Sequence, residues 1–155
     1  KIDRSIKAGA MAMGAKVRIR SIAGNLPMLQ NKHMNNIYLN NAENIVGKNN
    51  VVLHPDDQSG GSTDMGDLSQ ILPIIHPRSG GAEGTGHGNN YFIKDYEKSV
   101  INPAKAMATT IIDLLWPDDM QINEVINNHK PNYSISEYIA LQNKRMGNDF
   151  NDYTS

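Results

Sequence analysis

The feature that most constrains the fold is a helical pattern from Asn102 to Leu115. Asparagine followed by proline is typical of a helix start, since the asparagine side chain can accept a backbone N–H and proline fits the first helical position. Apolar residues then recur at helical spacing and predict one stripe that faces a core. The stripe consists of Ala104, Met107, Ala108, Ile111, Leu114 and Leu115. Trp116 and Pro117 close the helix.

Other helices are predicted on both sides of this one. Apolar residues at helical spacing indicate a helix from Ile2 to Met13. A weaker, asparagine-rich pattern indicates another over residues 31–46, and a further helix is expected over residues 120–128. The last helix begins at Ser134, whose side chain can form a capping box with Glu137.

Short apolar runs between the helices predict strands. Residues 16–21 alternate, with Val17 and Ile19 on one face and basic residues on the other, as in a half-buried strand. A solvated strand face explains the basic residues better than an anion site does. Residues 51–53 and 71–75 predict two buried strands. Strands that alternate with helices predict an α/β fold.

Composition excludes several classes of partner. The 155 residues carry a formal net charge of -1, which gives no electrostatic reason to expect nucleic acid or an anionic membrane. The absence of cysteine excludes disulfides and thiolate metal sites and fits a reducing compartment, so a cytoplasmic location is expected. No apolar run reaches the roughly 18 residues that a membrane span requires.

The candidate functional site lies in the stretch from Gly60 to Tyr91. His76 ends an apolar run, at the position where open α/β sheets bind ligands. His87 lies among glycines, where the backbone can approach a ligand closely. The alternatives are a partly buried histidine satisfied by backbone hydrogen bonds for His76 and a surface loop for His87. The remaining histidines are expected at the surface (His33 and His129) or in a structural turn (His54).

Two aspartates, Asp64 and Asp67, precede the apolar run. They can act as ligands or cap a short helical turn that starts near Met65, and capping is the more common role of a Ser-Thr-Asp cluster. The sequence contains no HExxH motif, no nucleophile-elbow serine and no nucleotide-binding glycine motif. The residues alone therefore predict an α/β domain with a candidate histidine site.

Three motifs then occur in a recognisable order. Residues 61–67 read GSTDMGD, residues 73–77 read PIIHP, and His87 follows. In this order they resemble the C-terminal part of the metallo-amidohydrolases and peptidases of the aminoacylase superfamily, most closely the aminobenzoyl-glutamate utilization branch. The resemblance covers most of residues 1–115, including the helix that starts at Pro103.

The resemblance implies an architecture. Residues 1–26 would be the end of an inserted α+β lid or dimerisation domain, with the return hinge at residues 25–27. Residues 27–155 would form the C-terminal half of a catalytic α/β domain with a mixed sheet flanked by helices, and the tail after Gly147 is expected to fray. A start inside a helical pattern is what a piece of a longer protein would show. The implied partners are the N-terminal remainder of that protein and a second copy bound through the lid.

The resemblance also implies an activity, the hydrolysis of the amide bond of an N-acyl amino acid, such as an aminobenzoyl one, or of a small peptide-like substrate. His87 matches a ligand of one of two divalent ions, zinc or manganese, which polarise the amide and activate water. Asp64, Asp67 and His76 match positions that line the same cleft. The other ligands and the catalytic glutamates have no counterpart here, so this chain alone is expected to be inactive and to bind metal weakly or not at all. The alternative is a non-catalytic binding or assembly module that retains the scaffold without a complete metal site.

Overall fold

A computed structural model describes residues 1–53, 62–116, 118 and 120–154. Its elements in chain order are α1 (Ile2–Ala12), β1 (Lys16–Ser21), α2 (Lys32–Val46), a 3-10 turn (Lys48–Asn50), α3 (Asp64–Leu68), β2 (Ala82–Glu83), β3 (Phe92–Ile93), a π-helical turn (Glu97–Ile101), α4 (Asn102–Leu115), α5 (Met120–Asn128), α6 (Ile135–Arg145) and β4 (Gly147–Asp152).

The strands of the described residues form two antiparallel pairs. β1 pairs with β4, from Lys16 opposite Asp152 to Ser21 opposite Gly147, and β2 pairs with β3. Helices and strands occur together, so the general α/β class is confirmed. The mixed sheet flanked by helices that the resemblance implies is not found in this part of the chain, where each sheet has two strands.

Local sequence signals predicted most helices correctly. Asn31 caps α2 by accepting the Met34 N–H at 3.0 Å. Ser134 and Glu137 form the expected capping box at the start of α6. After α1, Gly14 takes a positive φ of 57°, a conformation that glycine adopts without steric cost at the end of a helix. No helix in the described ranges is both long and apolar enough to cross a membrane.

Three predictions of extended or frayed structure are wrong. Residues 51–53 are not a strand, and Val52 is 71% exposed because nothing packs on it. Residues 71–75 are not a strand either, since the chain turns back on α3 and Leu72 N–H bonds the Leu68 carbonyl at 2.8 Å. The tail does not fray but forms β4. Its sequence, rich in glycine, asparagine and aspartate, has low strand propensity, so pairing with β1 rather than local preference orders it.

The apolar stripe predicted for α4 does not face the core, with the exception of Leu114. α4 packs against α2 through a neighbouring face whose buried residues are Ala106, Thr110 and Leu114. Ala106 and Thr110 are small enough for close approach of the two helices, and the Asn41 amide of α2 reaches the Asp113 carboxylate at 2.6 Å. The rest of the stripe is exposed: Ala104, Met107, Ala108, Ile111 and Leu115.

The start of α4 also differs from the expectation. The π-helical turn runs directly into α4, so Asn102 is already helical, with φ of -65° and ψ of -45°. No side chain caps this helix, and the Asn102 N–H donates to the Glu97 carbonyl of the preceding turn. The end at Trp116 is confirmed.

Candidate functional site

The acidic turn of the GSTDMGD motif forms the start of α3. Thr63 is the residue before the helix, and its hydroxyl donates to the Asp64 carboxylate at 2.9 Å. That carboxylate accepts the Met65 N–H at 3.0 Å. Thr63 is the N-cap residue of α3, since its hydroxyl accepts the same Met65 N–H at 3.5 Å. The exposed Asp64 side chain supports this cap from the first position of the helix, in line with the capping alternative that the sequence context favoured. Gly61, the first residue of the motif, lies outside the described residues, as does His54.

Asp67 is held in a junction between three segments. Its Oδ1 accepts the backbone N–H of Leu26 at 2.9 Å and the side-chain amide of Gln142 at 3.3 Å. These contacts join α3 to the segment before α2 and to α6. The carboxylate is partly buried, and this oxygen is already engaged by two donors.

The residues on either side of Asp67 strengthen the same junction. A Cβ added to Gly66 would lie 2.0 Å from the Leu26 carbonyl oxygen, so only glycine allows this approach of the two backbones. Ser69 accepts the Leu29 N–H at 3.0 Å, and the Gln70 amide donates to the Pro27 carbonyl at 2.6 Å. Ser69 and Gln70 are both buried. The predicted hinge region is therefore fastened to the motif by several hydrogen bonds in this structure.

His76 lies in the extended segment after α3. Its backbone N–H donates to the Gln30 side chain at 2.9 Å. The ring is partly buried, and its Nδ1 is buried with no hydrogen-bond partner. One alternative from the sequence was that His76 is a partly buried histidine satisfied by backbone hydrogen bonds. This does not hold for the Nδ1 atom of its ring.

His87 lies in the loop that connects β2 and β3. It is exposed and has a φ of 63°, a left-handed conformation that non-glycine residues adopt infrequently, histidine more readily than most. The loop is narrow because Gly84, with a φ of 96°, packs directly on the Asn90 carbonyl. The His87 ring has no hydrogen bond or ion pair to another described residue, so both of its ring nitrogens face solvent or a partner.

The four predicted residues do not assemble into a metal centre. Within residues 1–53, 62–116, 118 and 120–154, no group of three or more His, Asp or Glu side chains is placed to hold a metal ion. Asp64 and Asp67 make hydrogen bonds within the chain, while His76 and His87 lie on separate segments. The described part of the chain therefore offers single candidate ligands rather than a site.

A cavity of about 510 Å³ was missed by the sequence reasoning. It lies between the first turn of α2, the loop after α3 and the end of α5. Its walls include Leu29, His33, Pro73, Glu124, Val125 and His129. These residues come from three segments that are far apart in the chain, so no local spacing could have indicated them.

The two histidines of the cavity were expected at the surface and are instead partly buried. The His33 Nε2–H donates to the Gln121 side-chain oxygen at 2.7 Å, with a Glu124 oxygen at 3.6 Å. The His129 Nε2–H donates to the Ile71 carbonyl at 3.3 Å. Both rings thus connect α5 and the segment after it to the rest of the chain.

Comparisons of this chain with protein-family models, with curated proteins and with solved structures gave no match.

Proposed function

We propose that this chain is the C-terminal part of a metal-dependent amidohydrolase or peptidase that hydrolyses the amide bond of an N-acyl amino acid or a small peptide-like substrate. The observation that carries the proposal is the order of the three motifs, GSTDMGD, PIIHP and His87. Within it, residues 1–26 end a lid domain and residues 27–155 belong to the catalytic domain. The sheet of β1 and β4 crosses that boundary.

The state of His87 supports a ligand role. A histidine that binds a metal needs a ring nitrogen free of other hydrogen bonds, and the His87 ring is exposed and unpaired among the described residues. Its backbone conformation is an uncommon one, and such conformations are concentrated at functional sites. His76, with a buried and unpartnered ring nitrogen, is the supporting residue in this proposal.

The described residues by themselves do not fit a zinc or manganese site, because one free histidine is not accompanied by further ligands. In the proposed enzyme, the other ligands and the general-base glutamate come from the N-terminal remainder of the protein. The contribution of this chain is then His87 and the scaffold that holds its loop. By the same reasoning, this chain alone is expected to be inactive.

The test uses the product of the complete gene. We expect hydrolysis of N-acyl amino acids, measured as release of the free amino acid, to require manganese or zinc. His87→Asn keeps the left-handed backbone conformation accessible and is expected to lower kcat/KM by more than about 100-fold, a larger effect than loss of an outer-shell partner usually has. Asn89→Ala, in the same exposed loop, is the control and is expected to retain activity.

Two results would refute the proposal: no metal-dependent turnover of any N-acyl amino acid by the complete product, or full activity of the His87→Asn variant. Calorimetric titration of this chain alone with Zn²⁺ or Mn²⁺ provides a second measurement. We expect no saturable binding at micromolar metal.

The second candidate is a non-catalytic binding or assembly module. It is favoured by the engagement of Asp67 in hydrogen bonds to Leu26 and Gln142, which gives the GSTDMGD motif a structural role. A complete gene product without the upstream metal ligands and glutamates, and without amidase activity, would support the module over the enzyme.

A further inference from the structure

The cavity beside α5 does not include any residue of the proposed metal site. It is lined by residues around Leu29, His33, Pro73 and Val125, whereas Asp64, Asp67, His76 and His87 are not part of its wall. Its volume of about 510 Å³ lies within the roughly 300–1,000 Å³ typical of small-molecule sites. The question is therefore what kind of molecule its walls could bind.

The charged groups of the wall favour an anion. Lys32 and Lys130 both line the cavity, and neither forms an ion pair or hydrogen bond through its side chain with another described residue. Glu124 is the acidic residue of the described lining, and its carboxylate lies 3.6 Å from the His33 ring. The lining thus includes two lysines without an ionic partner among the described residues and one carboxylate that already has a neighbour.

The remaining lining includes both apolar residues and residues that can form hydrogen bonds. Leu29 and Pro73 supply accessible hydrocarbon surface, whereas Val125, at 1% exposed, offers almost none to a ligand. The His129 ring uses Nε2 to bond Ile71, which leaves Nδ1 without a described partner. A few polar groups beside an apolar surface are the usual composition of a site that orients a small organic molecule.

We propose that this cavity binds a small organic anion, with a carboxylate directed to Lys32 and Lys130 and a short hydrocarbon chain packed on Leu29 and Pro73. The lysines would favour the negative charge of the ligand, and the apolar residues would favour its hydrocarbon part. These two parts of the ligand can therefore be tested separately. This inference does not depend on the proposed amidohydrolase function.

The experiment is an NMR titration of the full 155-residue chain with hexanoate, 1-hexanol and inorganic phosphate. Hexanoate carries both features, hexanol keeps the chain without the charge, and phosphate keeps the charge without the chain. We expect saturable shifts at backbone amides around the cavity for hexanoate, and affinities lower by about fivefold or more for the other two probes, as the loss of about 1 kcal/mol implies. Equal affinity for hexanol or for phosphate would overturn the proposal.

Matched variants test the residues. Lys32→Gln combined with Lys130→Gln is expected to weaken hexanoate binding about fivefold, a modest change because exposed charges are screened. Lys48→Gln combined with Lys144→Gln makes the same change in net charge away from the cavity and is expected to leave the affinity unchanged. Leu29→Ala, at a half-exposed position, is expected to weaken binding of hexanoate but not of phosphate. Equal losses of hexanoate affinity in the two double-lysine variants would show that the attraction is non-specific and would refute the site.

Discussion

A single carboxylate, that of Asp67, joins three segments of the chain. It accepts hydrogen bonds from Leu26 and Gln142, and the neighbouring Gly66 lets the Leu26 carbonyl approach to a distance that a Cβ would block. Gly66 and Asp67 therefore both have a structural role in this junction. In the proposed enzyme the motif fixes the segment before α2, and His87, with His76 as the supporting residue, is left to bind a ligand.

Replacement of Asp67 by alanine tests this structural role. We expect the free energy of unfolding to fall by about 1–3 kcal/mol, because the partly buried Leu26 N–H loses its acceptor. Asp67→Asn keeps an oxygen at the same position and is expected to lower the free energy of unfolding by a smaller amount. Urea denaturation followed by circular dichroism measures both values. An alanine variant as stable as the parent chain would show that the Leu26 hydrogen bond contributes nothing.

At the scale of elements, the sequence predicted what depends on neighbours along the chain. The Ser134 capping box of α6 is such a local signal, and it is present as predicted. What depends on distant residues was not predictable. β4 is ordered by β1, which pairs with it from the other end of the chain, and the cavity joins segments that no periodicity connects.

Helix α4 also shows that contacts with distant residues could not be predicted from the sequence. Its apolar residues occupy more than one face, so spacing alone could not decide which face packs. The side chains of Ala106 and Thr110 let α2 approach closely, and this places Leu114 in the core and Leu115 outside it. Hydrophobic periodicity identified the helix correctly and its buried face incorrectly.

Two adjacent leucines test which face of α4 is buried. Leu114 is 7% exposed and Leu115 is 59% exposed. Leu114→Ala is expected to lower the free energy of unfolding by about 2–5 kcal/mol, since it leaves a cavity in a packed contact. Leu115→Ala is expected to change it by less than about 0.5 kcal/mol. Thermal or urea denaturation of both variants provides the comparison, and a reversed order would contradict the assigned face.

The whole molecule exposes more surface than a compact chain of its size. Its accessible area is 11624 Å², whereas a folded monomer of 17.1 kDa is expected to expose about 7,750 Å². Large apolar side chains contribute to the excess, among them Ile2, Met13 and Trp116. In the proposed larger protein, other residues would cover part of this surface.

The pairing of the two ends of the chain is expected to depend on pH. Lys7 lowers the pKa of Asp149 by donating a hydrogen bond to it. Thr154, and after it Lys16, lowers the pKa of Asp152. Because both folded-state pKa values lie below the ordinary 3.8, this stabilisation is present above that value and is lost as the pH falls through the lowered ones.

Amide hydrogen exchange can measure this effect in β1 and β4. We expect local opening of the sheet to increase on acidification below about pH 4, where the carboxylates take up protons. The variant with both Asp149→Asn and Asp152→Asn is expected to show weaker protection at neutral pH and little further change with acid. Equal acid sensitivity in the variant and the parent chain would assign the effect to other carboxylates.

The sheet between β1 and β4 also has a consequence for synthesis. β1 leaves the ribosome before the helices α2 to α6, while β4, its partner, follows them, so the sheet can close only after the intervening residues are synthesised. Contacts between such distant residues form slowly, and a strand with an unpaired edge can meanwhile associate with other chains. The basic residues of β1 alternate with its apolar ones: Lys16, Arg18 and Arg20. Repulsion between these charges would disfavour association of unpaired β1 strands on neighbouring nascent chains.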